Sequence, residues 1–223
     1  AERTLDQDQI KLLTLGAHYL KVFDVDFATV DYLAWGALQL GDWGVLGQHA
    51  AAYALEAGVQ SKPDVPLRPW FRLGFNRASG DDVNNDDKHK TFFQLLPTPR
   101  IYARFPFYNL MNTEDAFVSL LLRPAATLSV RVDARSLRLS SAQDFWYGGG
   151  GAFEKQTFGY AGRPSNGHRD LSSVYDISAD YRPSAHLTVS GYFGLADGGD
   201  VVRAIYPADS NASFGYLEVE WRR

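Results

Sequence analysis

The 223-residue chain has no cysteine and one methionine. Without thiols there is no disulfide, no zinc thiolate, no iron–sulfur ligation and no cysteine nucleophile. Long apolar runs are missing as well. A membrane-spanning helix needs about 18 or more consecutive apolar residues, and charges or glycines break every run before that length. This excludes a helical membrane protein but not a β-barrel, whose strands each leave only about 10 residues of alternating polarity. Nor is positive charge in excess. A net charge of -4 and a pI near 5.7 give no general field for nucleic acid. The beginning at Ala1 has neither the basic nor the apolar region of a signal peptide, so a leader is expected to have been removed or not included.

What is present points to strands. Hydrophobic residues make up 45% of the chain and aromatic residues 14%, with 12 Tyr, 14 Phe, 5 Trp and 20 Gly, at a mean hydropathy of -0.25. Enough apolar material exists for a folded chain, and the aromatic bias favours strand over helix. The ordering signal is alternation with period two, which sends every second side chain to the same face. In 128–138, Leu128, Val130, Val132 and Ala134 alternate with Arg131, Asp133 and Arg135. In 175–182, Tyr175, Ile177, Ala179 and Tyr181 oppose Asp176, Ser178, Asp180 and Arg182. Leu217, Val219 and Trp221 alternate with Glu218, Glu220 and Arg222, and weaker copies run through 71–76 and 187–193. Segments 30–40 and 51–59 read as longer strands. No helix is required, apart from an optional short one at the N-terminus.

Short turn signals at Arg123-Pro124 and Arg182-Pro183 alternate with long polar stretches at 80–90 and 148–170. An outer-membrane barrel shows this asymmetry, with tight turns at one end and extended loops at the other. At roughly 20–25 residues per strand and connection, the chain holds about nine or ten strands. The expected fold is therefore all-β: a single antiparallel transmembrane β-barrel domain over 1–223, complete or part of a larger barrel. The alternative is a soluble β-barrel or sandwich that binds a ligand. There the apolar faces would turn inward and the charges outward, whereas a membrane barrel inverts that arrangement. Aromatics near strand ends, as at Tyr175, Tyr181 and Trp221, and small residues on the apolar faces, as at Ala179 and Gly191, favour the membrane.

From Leu73 onward the chain resembles the alginate-export family of porin-like outer-membrane barrels. The resemblance is carried by ordered blocks: the run 73–82 ending in Ala78-Ser79-Gly80-Asp81-Asp82, then Thr91-Phe92-Phe93-Gln94-Leu95-Leu96-Pro97-Thr98, and Asn112. Leu120-Leu121-Leu122-Arg123-Pro124 follows, then Asp144-Phe145-Trp146-Tyr147 with its glycine tract, and Gly198-Gly199-Asp200-Val201-Val202 before the last strand. These blocks span about two thirds of the chain. The resemblance implies a bacterial outer-membrane location, lipid around the barrel, and a channel for a hydrophilic or acidic saccharide such as alginate. It implies no enzymatic activity. Two departures stand out. Polymer channels need about 16 or more strands, so a fragment, a smaller barrel or a partner chain completing the barrel is expected. The end Glu220-Trp221-Arg222-Arg223 also lacks the terminal aromatic usual in such proteins.

The resemblance further implies a basic lumen. Its candidates are Arg72, Arg131, Arg135 and Arg182, with Arg222 beside them and Arg131 and Arg135 foremost, because an arginine fork suits carboxylates. The same faces carry Asp31, Glu56, Asp133, Asp176, Asp180, Glu218 and Glu220, so an interstrand charge ladder is the competing reading. Arg100 and Arg104 lie in an aromatic stretch that either folds inward as a constriction or stays outside as a loop. Asp82, Asn84 and Asp86 are weak candidates for Ca²⁺, since Asp87 falls where an EF-hand needs glycine and Phe93 where it needs glutamate. No other cofactor is expected. The five histidines are scattered, and no nucleophile elbow or phosphate loop occurs. A hydrolase barrel would need a nucleophile and base that the chain does not provide in register.

Overall fold

The structure is a computed structural model, and it describes residues 10–83, 85–94, 105, 108–149 and 160–222. Strands dominate. β1 (Ile10–Asp24), β2 (Ala28–Trp43), β3 (Leu46–Ser61) and β4 (Trp70–Ala78) form an antiparallel meander. It continues through β6 (Thr113–Ala125), β7 (Leu128–Leu139), β10 (Asp170–Tyr181), β11 (Leu187–Gly198) and β12 (Ala212–Trp221). The two-residue β5 (Lys88–His89) adds to β3 in parallel, and β8 (Phe145–Gly149) pairs with β9 (Tyr160–Pro164) as a separate ribbon. Nine long strands in one sheet agree with the count expected from sequence. The sheet is open: among the described residues β1 pairs only with β2, and β12 only with β11.

Strand alternation along the meander assigns each connection to one of two ends. Residues 25–27, 62–69, 126–127 and 182–186 lie at one end, here the short-turn end. The described residues of the 79–112 and 140–169 connections, and residues 199–211, lie at the other, the long-loop end, together with the tight 44–45 turn. The asymmetry expected from sequence is therefore real in the fold.

Residues 1–9, where the optional N-terminal helix could lie, are outside the described residues, and 10–24 run as β1 in register with β2 from Ile10↔Trp43 to Asp24↔Thr29. A helix does exist elsewhere, α1 (Asp200–Ile205), just after β11. Its Val201 and Val202 bury against Leu137, Leu139, Leu171 and Val174, and Asp200 and Arg203 stand at the helix ends where the backbone dipole favours them. Six residues without strong periodicity left no helical signature to read.

The faces of the sheet are inverted relative to a soluble protein. Val132, Ile177 and Val219 are 45%, 48% and 64% exposed, while Asp133 and Asp176 beside them are 5% and 6% exposed. Leu55, Leu73, Val118, Phe193, Leu195 and Leu217 extend the same exposed apolar face across the strands. Aromatics on that face stand toward the strand ends. Tyr19, Tyr32, Phe71, Tyr181 and Trp221 gather toward the short turns, and Tyr53, Phe75 and Tyr175 toward the long loops. Soluble monomers rarely leave so continuous an apolar surface in water.

The buried apolar material lies at the long-loop end instead. Loop and strand residues interlock there in three clusters, built around Phe105, Leu139 and Leu171, around Trp43, Phe93 and Tyr160, and around Ala52, Phe92 and Leu110. Among the described residues no helix is long and apolar enough to cross a membrane, which has no bearing on a strand-based crossing.

Candidate functional site

The covered face of the sheet is polar, and its charges meet in pairs. On β2, β3 and β4, Nη1 of Arg72 lies 3.0 Å from Oδ1 of Asp31 and Nη2 lies 2.8 Å from Oε2 of Glu56. The Trp70 indole N–H donates to Oδ2 of Asp31 at 2.9 Å, and the Arg72 guanidinium stacks 4.9 Å from the Trp70 ring centre. Glycine makes room for this knot. A Cβ at Gly58 would come within 2.5 Å of Asp31 Oδ2 and 2.7 Å of Trp70 Nε1.

A second knot joins β4, β6 and β7. Arg135 pairs with Asp115, whose Oδ2 also accepts from Asn76 Nδ2 at 3.1 Å, and its guanidinium lies 4.6 Å over the Phe117 ring. The Phe117 ring sits where a Cβ at Gly74 would come within 2.5 Å of it. Arg131 donates to Ser119 Oγ at 3.1 Å and pairs with Asp133 Oδ2 at 2.7 Å. Asp133 in turn stands directly across from Asp176 on β10. Between the knots opens a cavity of about 330 Å³, lined by Glu56, Trp70, Arg72, Asn76, Phe117, Ser119, Arg131 and Arg135.

The sequence candidates thus divide. Arg72, Arg131 and Arg135 come together on one polar face, each already held by a carboxylate. Arg182 stands apart, exposed in a short-turn connection. Arg100 and Arg104 lie outside the described residues, but Phe105 and Tyr108 from the same stretch are buried against β7, β10 and β11. Burial pushes the Tyr108 hydroxyl up to about 12 and raises that of Tyr160 as well.

Composition and periodicity did not reveal the glutamine clamp. Gln39 on β2 and Gln48 on β3 face the covered side, where they are fully buried. Gln39 donates to the Phe93 carbonyl at 2.6 Å and accepts from the Phe93 N–H at 2.7 Å. Gln48 donates to the Thr91 carbonyl at 3.0 Å, and its Oε1 bonds the His89 ring nitrogen at 2.6 Å. Residues 89–94 are therefore strapped across the polar face, not left in solvent. The only prior signal was a glutamine interrupting an apolar strand face, which an alternation count treats as noise.

Further loops lock onto this strap. The Asp144 carboxylate accepts from the Asp81 N–H, the Thr91 hydroxyl and the Tyr147 hydroxyl. Asn112, in the left-handed region at φ 49, donates to the carbonyls of Ser141 and Phe145 and accepts from the Ser141 N–H. Burial raises the Asp81 carboxyl above its ordinary value, against hydrogen bonds from the N–H groups of Val83 and Lys90. Asp82 and Asp86, two of the Ca²⁺ candidates, both face the Lys90 ammonium at 2.8 and 3.4 Å, and Asn84 lies outside the described residues. Lys90 lowers the Asp82 carboxyl in return. No group of three or more His, Cys, Asp or Glu that could hold a metal occurs among the described residues.

Asp81, Thr91, Asn112, Asp144 and Val201 each come from a different one of the sequence blocks noted above, and the fold brings all five into the interlocked long-loop end. The family model for alginate export matches residues 5–216. The chain belongs to the alginate-export family. The match extends past the blocks from Leu73 onward and takes in the first three long strands. Alginate-export proteins are transporters of a porin-like kind, not enzymes, and the family points to passage of a polysaccharide at the outer membrane. No curated protein matches the chain.

Proposed function

We propose that this chain forms wall and constriction of an outer-membrane β-barrel that passes a hydrophilic saccharide, with an acidic chain such as alginate as the solute. The observation that carries the reading is the inverted sheet, apolar where it is exposed and charged where it is covered. In hydrocarbon the exposed Val, Leu and Ile side chains cost nothing, the aromatics at the strand ends sit at headgroup level, and the covered carboxylates and arginines line water.

Unpaired backbone groups are not tolerated in lipid, so the edges of β1 and β12 must be paired there. Further strands, from elsewhere in the protein or from a partner chain, close the barrel. About 16 strands or more hold an aqueous channel wide enough for a polymer, and nine long strands supply roughly half of that wall. The strap at 89–94 narrows the passage on the side of β2 and β3.

Reconstitution in planar bilayers tests this function. Discrete conductance that an acidic oligosaccharide reduces is the expected result. A purified protein that stays monodisperse after detergent removal and inserts into no bilayer would return the fold to the soluble ligand-binding reading.

A further inference from the structure

The arginines of the wall are already spoken for, and the uncommitted ones gather elsewhere. A cavity of about 540 Å³ lies at the short-turn end, between the 62–69 and 126–127 connections and the end of β10. Arg68, Arg123 and Arg182 line it, opposite Asp64 and Asp180. Among the described residues none of these three arginines forms an ion pair, in contrast to Arg72, Arg131 and Arg135. Asp180 already accepts from the Ser190 hydroxyl at 2.6 Å, and Asp64 is exposed.

Nη1 of Arg123 is buried and has no hydrogen-bond acceptor among the described residues. A donor stripped of water without a partner is costly, and native sites of this kind are filled by an acceptor. The backbone beside it is strained too. Leu67 and Arg68 take φ values of 63° and 45°, a region that side-chain-bearing residues rarely adopt. They are held there by the Arg123 N–H donating to the Leu67 carbonyl at 2.6 Å and the Arg68 N–H donating to the Val65 carbonyl at 3.1 Å. Strain that the surroundings enforce is a mark of functional positions.

Location selects the ligand. The β6–β7 register shifts just after Leu122, so the place of Arg123 is fixed by its neighbour Trp70, which stands opposite Leu121 and bonds Asp31 on the covered face. The Arg123 guanidinium lies 6.0 Å from the Trp70 ring centre, and Arg72 stacks 4.9 Å from the same ring. Trp70 therefore joins this mouth to the cavity in the wall. A lipid headgroup would approach from the exposed apolar face, whereas this cavity continues the polar one. Planar guanidinium forks match carboxylates, so a water-borne chain of uronic acids is the ligand that fits.

We infer that Arg68, Arg123 and Arg182 form a carboxylate-capture site for an acidic sugar chain at the short-turn mouth of the passage. The assignment of that cavity as a mouth rests on the proposed channel; the site itself does not require conduction. Titration calorimetry on the protein in micelles tests it, with a uronic-acid oligomer and a neutral oligomer of equal length as probes. The acidic oligomer binds, added salt weakens it, and the neutral one gives no signal. Replacing both exposed turn residues, Arg68→Gln with Arg182→Gln, weakens binding about tenfold or more, as loss of charge-assisted contacts requires. Arg123→Gln does the same where it folds, while Arg203→Gln at the opposite end leaves binding unchanged. Equal binding of the neutral oligomer, or a double variant that binds like the parent, overturns the assignment. A protein that conducts but ignores the uronate refutes this site and leaves the channel standing, whereas capture without conductance does the reverse.

Discussion

Asp115 and Arg135 are a buried pair, and their removal is asymmetric. Asp115→Ala takes away the carboxylate that pairs with a guanidinium only 5% exposed, which costs about 3–5 kcal/mol. Arg131 is 37% exposed, but its partner Asp133 is 5% exposed and stands across from Asp176, so Arg131→Ala leaves one buried carboxylate without its cation and costs less than the Asp115 loss, about 1–3 kcal/mol. Urea unfolding of the two variants in lipid vesicles separates them, and equal losses would mean that the Arg135 site is as wet as that of Arg131. Tyr108 gives a pH test outside the strands. Its hydroxyl is neutral in the fold until about 12, against 10.0 in an unfolded chain. The stabilising contribution is complete below pH 10 and is lost as pH rises from there through about 12. Thermal melts should fall over that window and fall less steeply in Tyr108→Phe, by up to one proton's slope, about 1.4 kcal/mol per pH unit. Matching slopes would place Tyr108 in water. The charged candidates on the strands could be named from sequence because alternation fixes the face. Which carboxylate holds which arginine could not, since that depends on neighbours from strands up to 41 positions away, as for Arg72 and Asp31.

The strap at 89–94 has no secondary structure beyond His89 at the end of β5, and two side chains hold it. Gln39→Ala strands the Phe93 N–H and carbonyl together, and Gln48→Ala strands the Thr91 carbonyl and frees the His89 ring. Each costs about 1–3 kcal/mol of local stability. Amide exchange at Phe93 should speed up in Gln39→Ala, and single-channel conductance should rise in the double variant as the strap lifts. An unchanged conductance would mean that the strap does not narrow the passage. Strands such as 128–138 and 175–182 were legible because their period repeats over four or more residues per face, and β7 and β10 fall on them within a few residues. β1 was less visible, since Leu12, Leu13, Leu15 and Leu20 fall on both faces of an edge strand. The long loops could be located from their polar stretches at 80–90 and 148–170, but their packing could not be read. Their side chains satisfy one another across 50 residues or more, as Thr91 does with Asp144, and leave no period at all.

At the scale of the whole molecule, one decision separates a channel from a binding protein: which solvent meets the exposed face. Placing an arginine there gives an energetic form of the question. Ile177→Arg costs about 2–4 kcal/mol at the middle of a bilayer but stays within about 0.5 kcal/mol on a surface already in water. Sequence alternation could not make this decision, because a soluble sandwich and a membrane barrel leave the same period. Burial separates the faces, with Asp176 covered and Ile177 exposed. The most direct measurement uses spin labels placed singly at 132, 133, 176, 177 and 219 in bilayer-reconstituted protein. Accessibility to oxygen, which concentrates in hydrocarbon, is compared with accessibility to a water-soluble paramagnetic complex. The account predicts high oxygen access at 132, 177 and 219 and the reverse pattern at 133 and 176. Water access at all five positions would contradict it.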